Sequence, residues 1–353
     1  MIYVCIAPGT KKWDEPEQIK NILEDLDKYK NKIVGLELCH KSIGEKCAEA
    51  LGEKIKNLKN LRKVDLSDCF VTRGKKELPK CLKYLFEALL DKPIKELILS
   101  NNALGPNSAE GYEFFFEKNK SLEKLILNDC GMGPIGTPSL MNKIKGNKNI
   151  PLKVLKIARN KMETTGCKSI CELVKEKKTL KEISISDNEI DGEGLKLFFD
   201  SIKDNENITY IDTHNNSFSN EGKMLPEIIG TLKNIVHLDL SDQISDKDIC
   251  KKIIETLPNL NKLRFFSFEY NISSMDLGKN RNKYISELLD CLLNVNNLKE
   301  LHFENNEITE DIYSKYSPKF KSKGLYLFSC FGEEEQMDDL DNDDIDYSDL
   351  NKK

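Results

Sequence analysis

Hydrophobic residues recur along this chain in a fixed pattern, Leu-x-x-Leu-x-Leu-x-x-Asn, with other apolar residues replacing some leucines and Cys, Lys or Gln replacing some asparagines. One copy is Leu180, Ile183 and Ile185 followed by Asn188. Ten copies end at positions 41, 69, 102, 130, 160, 188, 216, 243, 271 and 306, so successive copies lie 27 to 35 residues apart. This period predicts structural units that stack side by side and bury their apolar faces against one another.

Each unit has room for one short strand and one helix. After Pro79, for example, Leu82, Leu85, Phe86 and Leu89 recur at helical spacing and share one face. The sequence therefore predicts an α/β fold: a curved leucine-rich repeat solenoid, like the ribonuclease-inhibitor horseshoe, with about ten repeats of about 28 residues. A parallel sheet would line the inner face and the helices would cover the outer face.

The ends of such a solenoid need caps, because a terminal repeat would otherwise expose its core. Residues 15–30 have the apolar spacing of an N-terminal cap helix, and residues 325–328 could form a closing strand. We expect one leucine-rich repeat domain over 1–331. The segment 332–353 carries a net charge of −8, which leaves +3 on the rest, and its composition predicts a disordered acidic tail.

Composition limits the chemistry that this chain can offer. No apolar run is long enough for a membrane span, and no basic stripe with interleaved aromatic residues suggests nucleic-acid binding. Eleven cysteines without a CxxC pair favour reduced thiols and an intracellular protein. The four histidines fall in different repeats, so the sequence predicts no metal site, and we expect no cofactor. Taken alone, these residues describe a binding scaffold and not an enzyme.

The positions just before each turn form a second pattern. Six of them are Asp or Asn and would line one edge of the sheet: Asp68, Asn101, Asp129, Asp187, Asn215 and Asp242. Such an edge suits a partner that bears basic groups, although Asp and Asn in turns also serve local hydrogen bonds. At the turn position itself, Cys69 and Cys130 replace Asn, and we interpret them as structural residues.

Arginine is rare in this chain, so its positions are informative. Arg73 and Lys75 lie in a repeat that is five residues longer than most, and an insertion after a strand should lift side chains from the edge. Arg159 directly precedes the turn residue Asn160. A planar guanidinium suits recognition at such places. The alternative is that Arg73 and Arg159 are ordinary surface residues.

Four motifs follow one another along the repeats: LSDCFVTR at 66–73 with ELP at 77–79, LSNNALGP at 99–106, LNDCGMG at 127–133 and ARNKME at 158–163. In this order and spacing they resemble the motifs of the Ran GTPase-activating proteins. The resemblance implies activation of GTP hydrolysis on the small GTPase Ran, with Ran-GTP as partner and with or without a Ran-binding co-activator. The reaction would occur in the active site of Ran, so the chain would be an activator and not an enzyme.

The resemblance also implies a mechanism and two central residues. The family inserts no arginine finger; it orders a glutamine that Ran itself supplies. Arg73 matches the family's loop arginine, which helps to hold Ran. Asp129 stands where the family has Asn, and a carboxylate can only accept hydrogen bonds. Asn128 is adjacent, but its side chain should point elsewhere.

Three interpretations follow. The chain is a Ran activator, a Ran-binding relative with reduced activity because of Asp129, or a non-catalytic scaffold. We expect a cytoplasmic location, including the perinuclear region, because the chain ends at its acidic tail without the C-terminal domain that tethers animal members of the family at the nuclear pore. We also expect a monomer. We also expect no membrane and no nucleic acid among its partners.

Overall fold

The computed structural model describes residues 1–5, 11–218, 220–273 and 275–327, with the backbone alone at 11, 220 and 221. Its main feature is an 11-stranded parallel sheet in which strands follow one another almost in chain order. Its eleven strands are β1 (Ile2–Cys5), β3 (Ile33–Glu37), β5 (Lys63–Asp65), β6 (Glu96–Ile98), β7 (Lys124–Ile126), β8 (Val154–Lys156), β9 (Glu182–Ser184), β10 (Tyr210–Asp212), β11 (His237–Asp239), β12 (Phe265–Ser267) and β13 (Glu300–His302). The strands β2 (Lys11–Trp13) and β4 (Lys41–Ile43) pair in a separate two-stranded parallel sheet.

A helix follows the strand in each repeat. The α-helices are α1 (Lys20–Tyr29), α2 (Glu45–Ile55), α3 (Leu78–Leu89), α4 (Glu113–Lys118), α5 (Gly133–Gly146), α6 (Glu163–Glu176), α7 (Gly192–Ile202), α8 (Leu225–Thr231), α9 (Lys247–Thr256), α10 (Arg281–Leu292) and α11 (Glu310–Lys321). Short 3-10 helices replace part of the helix in some repeats, as at Pro106–Gly111 before α4. The leucine-rich repeat solenoid predicted from the sequence is therefore confirmed.

The hydrophobic pattern explains the core. In β7, Leu125 points between the sheet and the helices and is fully buried, whereas its neighbours Lys124 and Ile126 face the concave side and are partly exposed. The same alternation holds in β6 and β8. Because adjacent strands pair one repeat apart, Leu97, Leu125 and Leu155 stack in one apolar row.

A ladder of turn side chains holds the repeats together. The Asn102 amide oxygen accepts hydrogen bonds from the backbone N–H groups of Cys69 and Phe70, each at 2.9 Å. Its amide nitrogen donates to the Leu66 and Leu99 carbonyls. Such bonds satisfy backbone groups that the turn buries.

The two cysteines at turn positions act within the same ladder. The Cys69 thiol donates to the Leu38 carbonyl at 3.0 Å, and the Cys130 thiol donates to the Leu99 carbonyl at 3.2 Å. Burial raises the pKa of Cys130 to about 12. Both thiols are buried, so their interpretation as structural residues is confirmed.

The N-terminal end carries the predicted cap and an additional strand. A 3-10 helix (Pro16–Ile19) leads into α1, and Ile19 and Leu26 are buried beneath them. The sequence analysis did not predict β1, which pairs in parallel with β3. The Tyr3 ring covers Gly35, where a Cβ atom would approach the ring to 2.2 Å.

The C-terminal prediction is wrong in part. Residues 325–327 are not a strand, although Leu325 and Leu327 are buried against the last repeat below α11. Phe328, the rest of that prediction, and the acidic tail at 332–353 lie outside the described residues. In the described ranges, no helix combines the length and the apolar character needed to cross a membrane.

Candidate functional site

The residue before each turn position defines one edge of the solenoid, which we call the rim. Ten rim residues have left-handed backbone conformations, with φ between 48° and 61°: His40, Asp68, Asn101, Asp129, Arg159, Asp187, Asn215, Asp242, Tyr270 and Asn305. Asn and Asp adopt this conformation with little strain, which explains their prevalence. Arg159 and Tyr270 do not share that preference, so the backbone alone does not account for them.

Asp129 lies exposed at the end of β7. Its N–H donates to the Ala158 carbonyl at 2.9 Å, which fixes the backbone against the next repeat. Gly131 and Gly133 follow with φ of 62° and 61°, so the chain turns sharply toward α5. Near the start of α5, Ile135 is 70% exposed. The rim therefore presents a carboxylate close in sequence to an exposed apolar side chain.

Four of the predicted residues meet at one open cleft. Asp129, Arg159, Asp187 and Asn215 line a cavity of about 590 Å³ on the rim, together with Lys161 and other residues. Asp187 accepts hydrogen bonds from the Asn215 amide and from the His214 ring. Asp187 is thus held by the next repeat, while Asp129 and Arg159 are exposed.

Asn128 faces away from this cleft. Its side-chain oxygen accepts the Ala158 N–H at 2.9 Å, and the residue lines a different cavity, on the concave face. This geometry agrees with the expectation that its side chain points elsewhere than that of Asp129.

Arg73 differs from the expectation that the insertion lifts its side chain from the rim. Its side chain is only 6% exposed. One guanidinium nitrogen lies 2.5 Å from the Asp14 carboxylate and 3.2 Å from that of Glu77, and the other donates to the Ser42 carbonyl. The guanidinium folds inward because three acceptors from separate segments converge on it.

Other residues of the insertion do extend outward. Val71 is 53% exposed, and Lys75 is exposed as well. Asp68 is bound to the His40 ring, with 3.0 Å between Oδ2 and Nδ1. Asn101 and Asp242 are exposed at their predicted rim positions.

The concave face carries a group of residues that the sequence analysis did not predict. The rings of Tyr210, His237 and Phe265 stack across adjacent strands, with centroid separations of 4.0 and 3.8 Å. Burial lowers the pKa of His237 to about 3, so the ring in this stack is neutral. The sequence does contain a signal for this stack, because the three ring residues occupy equivalent positions in successive repeats.

Beside the stack lies a cluster of carboxylates around His214. Its Nδ1 is 2.7 Å from Asp212 Oδ1 and 3.7 Å from Asp239 Oδ2, and its Nε2 is 3.0 Å from Asp187. Burial opposes protonation, but the carboxylates, Asp212 foremost, raise the pKa of His214 to about 9. Burial and the charge of Asp212 raise the pKa of Asp239.

A second histidine has a related environment at the C-terminal end of the sheet. His302 Nε2 lies 2.8 Å from Glu300, and its Nδ1 lies 3.6 Å from Glu269. The carboxylates of Glu269 and Glu300 raise the pKa of His302 to about 10. The concave face is thus richer in ionisable groups than the separate histidines in the sequence indicated.

Comparison with known proteins finds both leucine-rich repeats and proteins of the kind that the motifs resemble. A family model described as "Leucine Rich repeat" matches residues 148–171 and 176–199. The chain is similar to Ran GTPase-activating protein 1 of Xenopus laevis, with 28% identity over 175 residues that cover 46% of this chain and 30% of that protein. It is also similar to Ran GTPase-activating protein of Drosophila melanogaster, with 29% identity over 181 residues, covering 48% of this chain and 30% of the relative.

A shorter match extends to yeast. Ran GTPase-activating protein 1 of Saccharomyces cerevisiae is 32% identical over 123 residues, which cover 33% of this chain and 30% of that protein. The alignments thus span less than a third of these relatives' own length. A solved internalin from Listeria monocytogenes covers 92% of this chain at 15% identity, with a TM-score of 0.49. The resemblance to Ran GTPase-activating proteins that the motifs indicate is confirmed by relatives from animals and yeast.

Proposed function

We propose that this chain activates GTP hydrolysis by the small GTPase Ran and that the rim around Asp129 contacts the Ran active site. The similarity to Ran GTPase-activating proteins supports the partner and the reaction. The observation that carries the assignment to the rim is the cleft lined by Asp129 and Arg159, with the exposed apolar residue Ile135 close to Asp129 in the sequence. An open polar cleft with an apolar neighbour suits a protein partner.

Within this proposal, Arg73 is a positioning residue. A guanidinium already bound by Asp14, Glu77 and the Ser42 carbonyl is poorly suited to reach a phosphate in another protein. It is well suited to hold the loop that presents Val71 and Lys75. This role fits a mechanism without an arginine finger, in which the activator holds the catalytic glutamine of Ran in its productive orientation.

Asp129 would determine how strongly the chain stimulates hydrolysis. An Asn amide at this position can both donate to and accept from a glutamine side chain, whereas a carboxylate only accepts. A carboxylate close to a phosphoryl group with developing negative charge also opposes the transition state. We therefore propose that the chain binds Ran as the family does but stimulates GTP hydrolysis less strongly.

The remaining rim residues would contribute to binding. We assign partner contacts to exposed or partly exposed residues along one edge: Asp68, Lys75, Asn101, Arg159, Asp187, Asn215 and Asp242. Asn128 is a weaker candidate, because its oxygen is already bound to the backbone of the next repeat. We further propose Ran-GTP as the bound form, a cytoplasmic location and a monomeric activator, with a co-activator as an additional component.

Hydrolysis of Ran-bound GTP, measured in a single turnover with substoichiometric amounts of the chain, tests the proposal. We expect stimulation by the unaltered chain and a strong reduction with Arg73→Ala. Lys83→Ala is the matched control, because Lys83 is exposed on helix α3, away from the rim. Equal stimulation by both variants would show that the loop held by Arg73 takes no part in the action on Ran.

The second candidate is a Ran-binding relative that no longer stimulates hydrolysis, and the exposed carboxylate of Asp129 is the observation that favours it. Binding of the chain to Ran-GTP without faster hydrolysis would support this candidate. If the chain neither binds Ran-GTP nor stimulates its hydrolysis, the non-catalytic scaffold is the interpretation that remains.

A further inference from the structure

The concave face brings together three potential metal ligands that are separated in the sequence. Asp212 and His214 lie two residues apart and face the same side at the end of β10, and Asp239 occupies the corresponding position in β11. Their ligand atoms all lie within 4.8 Å of one another. The backbone thus gathers one imidazole nitrogen and two carboxylate oxygens at one point.

The separations fit a small divalent cation. His214 Nδ1 is 2.7 Å from Asp212 Oδ1 and 3.7 Å from Asp239 Oδ2. Zinc bonds of about 2.0 Å in a tetrahedral arrangement place neighbouring ligand atoms roughly 3.3 Å apart. The two His214 separations lie on either side of this value, and the two carboxylate oxygens lie within 4.8 Å of each other, so the three atoms are grouped on the scale of one coordination sphere.

Each ligand also has an outer partner that orients it. His214 Nε2 lies 3.0 Å from Asp187, so Nδ1 is turned toward the other two carboxylates. Asp212 accepts a hydrogen bond from the Ser184 hydroxyl at 2.7 Å, and Asp239 accepts the Ser241 N–H at 3.0 Å. A carboxylate on the far nitrogen of a histidine is the arrangement typical of metal-binding imidazoles.

Charge favours a cation here. Asp187, Asp212 and Asp239 surround a single imidazole, so the cluster keeps an excess of negative charge even with His214 protonated. Asp212 is buried, which makes uncompensated charge costly. The cluster borders an open cavity of about 230 Å³ on the concave face, which gives an ion and its waters access.

We propose that Asp212, His214 and Asp239 form a binding site for one divalent transition-metal ion, with water completing the coordination. The mixed nitrogen and oxygen donors favour Zn²⁺ or a similar first-row ion over Mg²⁺, which prefers oxygen ligands alone. Binding displaces the proton that His214 Nδ1 shares with Asp212, and this proton is released to solvent. The proposal does not depend on the proposed action on Ran, because it is argued from the side chains of the cluster alone.

His40 provides an internal comparison. Its Nδ1 lies 3.0 Å from Asp68, but it lies on the exposed rim and does not belong to a group of three potential ligands among the described residues. One carboxylate beside one imidazole is a common ion pair. His40→Gln is therefore the matched control for His214→Gln.

Isothermal titration of the full chain with ZnCl₂ tests the proposal, and MgCl₂ serves as the comparison ion. We expect one zinc equivalent that depends on this cluster, an affinity at least tenfold lower in His214→Gln, and no change in His40→Gln. Asp239→Asn should weaken zinc binding in the same way, which keeps the test available if His214→Gln does not fold. Circular dichroism verifies the fold of each variant.

Cobalt substitution distinguishes this site from the cysteines. Co²⁺ bound by nitrogen and oxygen should give visible absorption without the intense bands of thiolate ligation. No zinc binding, equal affinity in wild type and both cluster variants, or thiolate bands with Co²⁺ would each overturn the proposal.

Discussion

Arg73 Nη1 lies 2.5 Å from Asp14 Oδ1, so an ion pair joins the segment before the cap helix to the loop after β5. The two residues are 59 positions apart in the chain. Gly44 leaves space for this pair, because a Cβ atom there would lie 2.9 Å from Arg73 Nη1. The N-terminal segment therefore contributes directly to the order of the loop that carries Val71 and Lys75.

Removing the Asp14 carboxylate should loosen this loop. We expect Asp14→Ala to lower the free energy of unfolding by about 1–2 kcal/mol, less than for a fully buried pair because Asp14 is half exposed and Glu77 remains. Urea denaturation measures the change. Glu15→Ala is the control, because its ion pair with Lys46 is exposed, and it should cost less than about 1 kcal/mol. Equal losses would show that Asp14 has no special role.

We expect Arg159 to lower the stability of the fold and to contribute to binding of Ran. Its φ of 54° is unfavourable for arginine, whereas Asn tolerates it. We expect Arg159→Asn to stabilise the chain by about 1 kcal/mol and to weaken binding to Ran-GTP. Thermal or urea unfolding and a binding titration measure the two effects separately. A destabilised variant with unchanged Ran binding would contradict this prediction.

The carboxylate of Asp129 should limit stimulation of Ran. We expect Asp129→Asn to increase the single-turnover rate of Ran-bound GTP hydrolysis about tenfold, because one added hydrogen-bond donor in a transition state supplies on the order of 1.4 kcal/mol. Asp290→Asn is the matched control, because Asp290 is an exposed carboxylate on helix α10, away from the rim. An unchanged rate for Asp129→Asn would remove the carboxylate as the cause of reduced activity.

The environment of His302 should make stability depend on pH. The carboxylates of Glu269 and Glu300 raise the pKa of His302 to about 10 in the folded chain, against roughly 6.5 in the unfolded chain. The bound proton therefore stabilises the fold fully below pH ~6.5, and this contribution is lost as the pH rises toward 10. The difference in unfolding free energy between wild type and His302→Gln should be larger at pH 6 than at pH 9. A constant difference would contradict this shift.

The repeats were predictable because each one encodes the same buried positions. Leu125 and its equivalents reveal the strands, and the turn residues reveal their spacing, so the sheet follows from the sequence. Strand β1 was not predicted, because Ile2–Cys5 lacks a turn residue and is recognised only by its pairing with β3.

The candidate sites were predictable in position but not in side-chain direction. The rim follows from the repeat register, and it contains Asp129 and Arg159 as expected. The inward direction of Arg73 depends on Asp14, a partner far away in the sequence. The cluster around His214 requires two repeats to be superimposed, since Asp212 and Asp239 reach it from adjacent strands.

The most direct test of the central claim compares two forms of Ran. Single-turnover GTP hydrolysis is measured with unaltered Ran and with Ran whose catalytic glutamine is replaced, each with and without substoichiometric amounts of the chain. We predict faster hydrolysis for unaltered Ran and no stimulation for the glutamine variant, because the activator orders that residue. No stimulation of unaltered Ran, or equal stimulation of both forms, would contradict the account.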